Sequence, residues 1–144
     1  MTRSATDICG VGSPAVLFLE QFGAIVWDAF GHPPFLCGSS AKGKTWRDVD
    51  VRLMLPDAEF LALFGKPAPL HSWTSDKWAA LCMAFSVLGE RMTGLPIDFQ
   101  IQDTTHANKT WPDGPRQTIG LLESRRACDK PHVAEAARDE GGKA

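Results

Sequence analysis

Three aspartates lie in two short segments where polar and apolar residues alternate. Asp48 and Asp50 belong to the segment DVDVRLML, residues 48–55, and Asp98 opens the segment DFQIQ. Because successive side chains of a β-strand point to opposite faces, each segment would present its polar residues on one face. Carboxylates that converge from two strands suit hard divalent cations, and a pair of such ions can assist a phosphoryl displacement. The spacing therefore predicts a site for two Mg²⁺ ions, or Mn²⁺ in their place, with Asp48, Asp50 and Asp98 as ligands.

A glycine-rich segment precedes the first aspartate. Residues 38–45, GSSAKGKT, match the phosphate-binding pattern G-x-x-x-x-G-K-[ST] of P-loop NTPases. A P-loop connects a strand to a helix, whereas the residues that follow here alternate with period two and include two β-branched valines. We therefore expect the glycine segment to join two strands and to offer backbone N–H groups to a triphosphate. A P-loop NTPase is the least favoured alternative.

Together these segments resemble the compound motif of the nucleotidyltransferase superfamily typified by DNA polymerase β, and most closely its minimal members. Those proteins carry G-S-x-A-R-G, a short spacer, an alternating strand D-h-D-h in which h is apolar, and a later acid on another strand. The corresponding pieces here are CGSSAKG at residues 37–43, DVDV at residues 48–51 and IDF at residues 97–99. Lys42 replaces the commoner arginine, and the spacer before Asp48 is slightly shorter than usual. The resemblance covers residues 13–103.

The resemblance implies a metal-dependent enzyme that moves an NMP from an NTP such as ATP to an acceptor hydroxyl. The acceptor would be a protein, an RNA or a small molecule, and pyrophosphate would leave. Asp48 and Asp50 would hold both metal ions, and Asp98 would hold the catalytic ion and help to activate the acceptor hydroxyl. Phosphates would bind at the glycine segment, and nearby cationic side chains would neutralise their charge. The candidate nucleotide-binding residues are Gly38, Ser39, Ser40, Lys42, Lys44 and Arg52.

A second hypothesis assigns the same site to binding without catalysis. We expect no helical domain of the kind that larger relatives use to hold the acceptor, and this favours a catalytically idle module that binds nucleotide and metal. Such a module would act with a partner chain. In a third hypothesis the chain is one half of a two-component enzyme, and a partner protein supplies the acceptor site or is itself the acceptor. The intact set of three aspartates favours the enzyme.

Three further residues are weaker candidates for nucleotide contact. Gln100 and Gln102 share the predicted face of Asp98 and would either bond a ribose or base or simply face water. Trp111 lies in a polar segment, residues 106–117, that could close over a nucleotide. Its ring would either stack on a base or pin its own loop to the core.

Composition and charge do not call for a nucleic-acid or membrane partner. A net charge of −2 over 144 residues gives no basic footprint that would require nucleic acid. The four cysteines lie far apart and lack the spacing of a zinc site, so we expect reduced thiols. The N-terminus lacks the apolar segment of a signal peptide, and no apolar run approaches the roughly 18 residues of a membrane span. We expect a soluble, cytoplasmic protein without a membrane partner.

The expected architecture is α+β: a small mixed β-sheet with helices packed mainly on one face. Apolar residues at helical spacing predict helices from about residue 13 to 30, over 57–64 and over 75–93, and the second alternation spans residues 96–102. Residues 35–37 read as a short buried strand. The nucleotidyltransferase domain would span residues 13–122, after a flexible N-terminus (1–12) and before a polar, partly disordered tail (123–144).

Overall fold

Four strands form one mixed sheet in the computed structural model, which describes residues 11–43, 47–66 and 76–121. In chain order the strands are β1 (Phe35–Cys37), β2 (Val49–Leu55), β3 (Ile97–Asp103) and β4 (Arg116–Thr118). Their spatial order is β3-β2-β1-β4. Strands β2 and β3 are parallel, whereas β1 pairs antiparallel with both β2 and β4. The glycine segment therefore joins two strands, as predicted, and the strand after it is not the helix that a P-loop requires.

Helices cover mainly one face of this sheet. They are α1 (Ala15–Phe30), α2 (Ser39–Lys42), α3 (Asp57–Phe64), α4 (Asp76–Thr93) and α5 (Thr104–Thr110). The Phe99 ring on β3 lies 6.1 Å from the Phe22 ring of α1 and 5.2 Å from the Phe85 ring of α4, centroid to centroid. Both long helices thus rest on the same face, which confirms the predicted α+β class.

The two central strands alternate strictly between a covered and an open face. In β2 and β3 every second residue, beginning with Val49 and Ile97, is buried. Their aliphatic and aromatic side chains join Leu19, Phe22 and Val26 of α1 in one hydrophobic core. The residues between them lie on the open face and are partly exposed. The predicted period of two therefore holds along both strands.

The outer edge of β3 is protected by side chains of α4. The Phe99 backbone N–H donates to Ser86 Oγ at 2.9 Å, and Trp78 Nε1 donates to the Ile101 carbonyl at 2.9 Å. These bonds satisfy backbone groups that an edge strand otherwise leaves open to pairing with another chain. They also fix the position of β3, which carries one of the three aspartates.

The segment after β4 packs closely against α1. A Cβ on Gly23 would approach the Gly120 nitrogen to 2.8 Å, and a Cβ on Gly120 would approach the Gly23 carbonyl carbon to 2.7 Å. Gly120 also has a φ of 93° and donates its N–H to Glu20 Oε2 at 2.7 Å. Only glycine at both positions allows this approach, which holds β4 in the sheet.

The polar segment after β3 is more ordered than its composition predicts. It forms α5 and β4, neither of which was expected. The Asp103 side chain caps α5 by accepting a hydrogen bond from the His106 backbone N–H at 2.6 Å. An aspartate at this position satisfies an N–H group that the helix leaves free, and it stabilises a helix that has little apolar surface to bury.

Other predictions about the chain meet the structure only in part. Val11, inside the predicted flexible N-terminus, is 1% exposed and belongs to the core. Cys37 and Cys82 carry free thiols. The remaining cysteines, residues 1–10 and the predicted tail 123–144 lie outside the described residues. Within the described ranges, no helix is both long and apolar enough to cross a membrane.

Candidate functional site

The parallel register of β2 and β3 brings two of the three aspartates together. Asp50 lies directly beside Asp98 on the open face. Cys37 of β1 pairs with Asp50 on the other side, and Arg116 of β4 pairs with Cys37. A row across all four strands therefore runs from a cation through a thiol to two adjacent carboxyl groups.

Arg116, Cys37 and Asp50 of this row line a cavity of about 590 Å³ over the open face, whereas Asp98 is not among the residues that line it. One wall is the turn after β1, and another is the segment between α5 and β4. Strands β2 and β3 form the floor with charged and amide side chains. The cavity is lined by Cys37, Gly38, Ser39, Lys42, Asp50, Arg52, Met54, Gln100, Gln102, Trp111, Gly114, Pro115 and Arg116.

Gly38 brings the backbone of the turn against the Asp50 carboxyl group. Its φ of 68° and ψ of −154° lie in a region that residues with a side chain rarely adopt. A Cβ at this position would also collide with Asp50 Oδ2. Glycine is therefore required for the backbone conformation and for the contact with the carboxyl group.

Arg52 contacts both carboxyl groups. Its Nη2 donates to Asp98 Oδ2 at 3.0 Å and lies 3.5 Å from Asp50 Oδ1, and its Nη1 donates to the Asp98 carbonyl at 2.6 Å. Arg52 follows Asp50 by two residues on the same strand face, so the alternation of β2 places it there. One guanidinium thus partly neutralises two adjacent carboxylates.

The electrostatic environment differs among these groups. Partial burial raises the pKa of the Asp50 carboxyl group, and the nearby Asp98 and Asp48 raise that pKa further, whereas Arg52 acts in the opposite direction. Burial also raises the pKa of the Cys37 thiol against the effect of Arg52 and Arg116. Asp50 therefore lies where an additional positive charge would be favourable, and Cys37 is a neutral thiol at neutral pH.

The site offers carboxylate donors of the kind that a hard divalent cation prefers, but they do not form a complete metal site in this arrangement. Asp50 and Asp98 offer carboxylate oxygens from adjacent strands, and Asp48 lies just before β2 on exposed backbone, near enough to raise the pKa of Asp50. In the part of the chain that the structure describes, no three Asp, Glu, His or Cys side chains are grouped closely enough to hold a metal ion. Arg52 contacts one oxygen of each of the Asp50 and Asp98 carboxyl groups, and such an ion would compete with it there.

The predicted nucleotide-binding residues fall into three groups. Gly38, Ser39, Lys42 and Arg52 all line the cavity. Ser40 does not: it is fully buried, and its hydroxyl donates to the Cys37 carbonyl at 3.1 Å, so it shapes the turn rather than offering a donor to a ligand. Lys44 lies outside the described residues.

The weaker candidates also reach the cavity. Gln100 and Gln102 line its floor, and Trp111 lines a wall with 60% of its surface exposed. The Trp111 ring is therefore not pinned to the core, which was the alternative to stacking on a ligand. Its side chain has room for a flat partner.

Arg116 is a cavity residue that sequence reasoning missed. Its Nη1 donates to Asn108 Oδ1 at 2.8 Å, and its Nη2 donates to the Trp111 carbonyl at 3.4 Å. These bonds hold the wall segment to β4. The only sequence signal was a cation after Pro115, and a three-residue polar strand gives no alternation by which to recognise it.

No protein-family model matches this sequence, and neither a curated protein nor a solved structure matches the chain. A functional interpretation therefore depends on the motif and on the geometry of the cavity.

Proposed function

We propose that this chain is a minimal nucleotidyltransferase, which transfers an NMP from an NTP to an acceptor hydroxyl. One observation carries the proposal: Asp50, which lines the cavity and lies directly against the Gly38 turn, is paired with Asp98 on the neighbouring parallel strand. A glycine turn beside paired carboxylates is the arrangement that the compound motif predicts. The resemblance to the nucleotidyltransferase superfamily is part of this proposal.

The lining of the cavity combines cationic side chains with an exposed aromatic ring and amide groups. Lys42, Arg52 and Arg116 bring positive charge, and the Gly38 turn has no side chain to keep a phosphate away from its backbone. Trp111 and the amide of Gln102 would receive the nucleoside. A triphosphate would thus lie across the charged floor while the base lies against the exposed indole.

Asp48, Asp50 and Asp98 would hold the metal ions. Bound Mg²⁺ would neutralise the triphosphate and favour ionisation of the acceptor hydroxyl. Asp50 must be deprotonated to act as a ligand, and its raised pKa means that binding of a cation competes with a proton at acid pH.

In the transfer itself, the acceptor oxygen would bond to the α-phosphorus as the bond from that phosphorus to its β-bridging oxygen breaks. Pyrophosphate leaves, and the hydroxyl proton passes to a carboxylate or to water. Asp98, whose side chain is 43% exposed, is accessible to an acceptor. Cations along the floor would stabilise the charge that develops on the leaving pyrophosphate.

A catalytically idle nucleotide- and metal-binding module is the second candidate. It is favoured by the guanidinium of Arg52, which contacts both carboxyl groups and bonds to one of them. In that case a partner protein would supply the acceptor site or the chemistry.

A label-transfer assay tests the proposal. NTPs labelled on the α- or the γ-phosphate would be incubated with the full chain, Mg²⁺ and a cell lysate as a source of acceptors. Asp50→Asn removes a proposed ligand, and Asp28→Asn, an exposed aspartate on α1, is the matched control. We expect transfer of the α-label by the wild type and by Asp28→Asn, and none by Asp50→Asn.

Other outcomes would contradict the proposal in different ways. Release of γ-phosphate without transfer of the α-label would indicate a nucleotide hydrolase. Nucleotide binding without any transfer, in a lysate rich in acceptors, would favour the idle module.

A further inference from the structure

Arg52 forms an ion pair with the carboxyl groups that the proposed function assigns to metal. Its side chain is 15% exposed, against 31% for Asp50 and 43% for Asp98. Its guanidinium reaches a carboxylate oxygen of each aspartate and the backbone carbonyl of Asp98. It is the most buried member of the group and is fixed at more than one point.

A metal ion held by both carboxyl groups would lie close to the Arg52 guanidinium, which contacts one oxygen of each. Asp98 Oδ2 accepts from Nη2 at 3.0 Å, so a cation bound to that oxygen would lie close to a positive guanidinium. Two cations that near to one another repel strongly in a partly buried site. Metal alone would therefore bind weakly unless Arg52 found another anion.

A triphosphate provides that anion within reach. Arg52 lines the same cavity as Gly38 and Lys42, and a guanidinium binds phosphate oxygens with the same planar fork that it offers to carboxylates. When a nucleotide enters, the guanidinium can exchange carboxylate for phosphate while the carboxylates exchange the guanidinium for metal. Each charge then keeps a partner.

We propose that Arg52 is a resident counter-ion of the Asp50–Asp98 pair, which makes binding of metal and triphosphate cooperative. Neither ligand alone offers partners for every charge, but the two together do. This inference rests on the proposed function, since it concerns the same site. It assigns Arg52 a positioning role, namely to keep the carboxyl groups paired and the metal site closed until a nucleotide arrives.

The test measures Mn²⁺ binding to the full chain without nucleotide, from the signal of free Mn²⁺ in electron paramagnetic resonance. Arg52→Gln removes the counter-ion, and Arg52→Lys keeps the charge but loses the fork. Arg47→Gln is the matched control, because Arg47 is exposed, lies beside Asp48 and makes no ion pair with Asp50 or Asp98 in the described structure. Thermal melting of each variant verifies that it folds.

We expect Arg52→Gln to bind Mn²⁺ about tenfold more tightly than the wild type, within the usual range of coupling between sites. Arg52→Lys should be intermediate, and Arg47→Gln should differ little from the wild type. Adding Asp50→Asn to the Arg52→Gln variant should abolish the gain. If Arg52→Gln does not fold, Arg52→Lys still tests the proposal, because loss of the fork alone should strengthen binding of Mn²⁺.

Failure of this inference can be distinguished from failure of the proposed function. Equal Mn²⁺ affinity in the wild type and the Arg52 variants, lost on Asp50→Asn, would overturn the counter-ion role and leave the metal site standing. Absence of Mn²⁺ binding in every variant, Arg52→Gln included, would overturn the metal site and the proposed function with it.

Discussion

Successive residues of strands β2 and β3 point to opposite faces of the sheet, and the two faces have different roles. On the covered face, aliphatic and aromatic side chains pack against α1 and α4 and are almost fully buried. On the open face, Asp50, Asp98 and Arg52 are held close together and only partly shielded from water. The first arrangement stabilises the fold. The second keeps like charges adjacent, which lowers stability and is typical of a binding or catalytic site.

The largest expected effect comes from truncating the covered face. Phe99→Ala removes a ring that contacts both Phe22 and Phe85, and we expect a loss of about 3–5 kcal/mol in the free energy of unfolding. Gln100→Ala, one residue along on the open face, should change it by about 0.5 kcal/mol or less. Urea unfolding of both variants measures the contrast. Similar losses would mean that the open face also carries the stability of the sheet.

A glycine substitution tests the contact between the turn and the carboxyl group. Gly38→Ala forces a side chain into a strained conformation and against Asp50, and we expect a cost of about 1–3 kcal/mol. Gly31→Ala is the control, because Gly31 also has a positive φ but no atom lies within 4 Å of its added Cβ. Binding of inorganic tripolyphosphate, measured by calorimetry, should be lost in Gly38→Ala and retained in Gly31→Ala. Loss of tripolyphosphate binding in both variants would mean that the loss follows from a disturbed fold and not from the Gly38 turn.

A third substitution separates contact with the base from contact with the phosphates. Trp111→Ala removes the exposed indole, and we expect ATP affinity to fall about tenfold, since stacking of a base on an aromatic side chain is worth roughly 1–3 kcal/mol. Affinity for tripolyphosphate, which has no base, should stay unchanged, and Trp111→Phe should restore most of the ATP affinity. An equal fall for both ligands would place Trp111 among the structural residues of the wall.

The sequence predicted which residues lie on each face of the strands, but not the register between the strands or the contacts of Arg52. Period-two alternation was enough to assign Asp50 and Asp98 to one side of each strand, because the pleat leaves no other arrangement. It could not specify that β2 and β3 are parallel neighbours with Asp50 beside Asp98, which depends on the packing of α4. The contact of Arg52 with both carboxyl groups depends on that register, so it was not predictable either.

The wall of the cavity was the least predictable part. Helix α5 and strand β4 are short and polar, so neither has a periodic apolar pattern. Their positions depend on single contacts, such as the capping of α5 by Asp103 and the bonds that Arg116 makes to Asn108 and Trp111. Because these residues belong to segments without apolar periodicity, their contacts can be recognised only after the fold is known.

The smallest expected effect concerns two aspartates whose pKa values shift in opposite directions. Burial raises the pKa of Asp50, whereas hydrogen bonds from the Thr105 hydroxyl and backbone N–H lower that of Asp57 on α3. Asp50 thus favours the fold most when protonated, and this contribution is lost as the pH rises through its folded pKa. Asp57 favours the fold when ionised, and its contribution is lost as the pH falls through its folded pKa.

Melting temperatures of the wild type, Asp50→Asn and Asp57→Asn between about pH 3 and about pH 7 test these signs. As the pH rises, the wild type should lose stability relative to Asp50→Asn and gain stability relative to Asp57→Asn. Both differences should be small because both carboxyl groups are partly or fully exposed to solvent, which screens their interactions. If the wild type also gained stability relative to Asp50→Asn as the pH rises, the open face would not disfavour the charge of Asp50. The contrast between the two faces would then rest on packing alone.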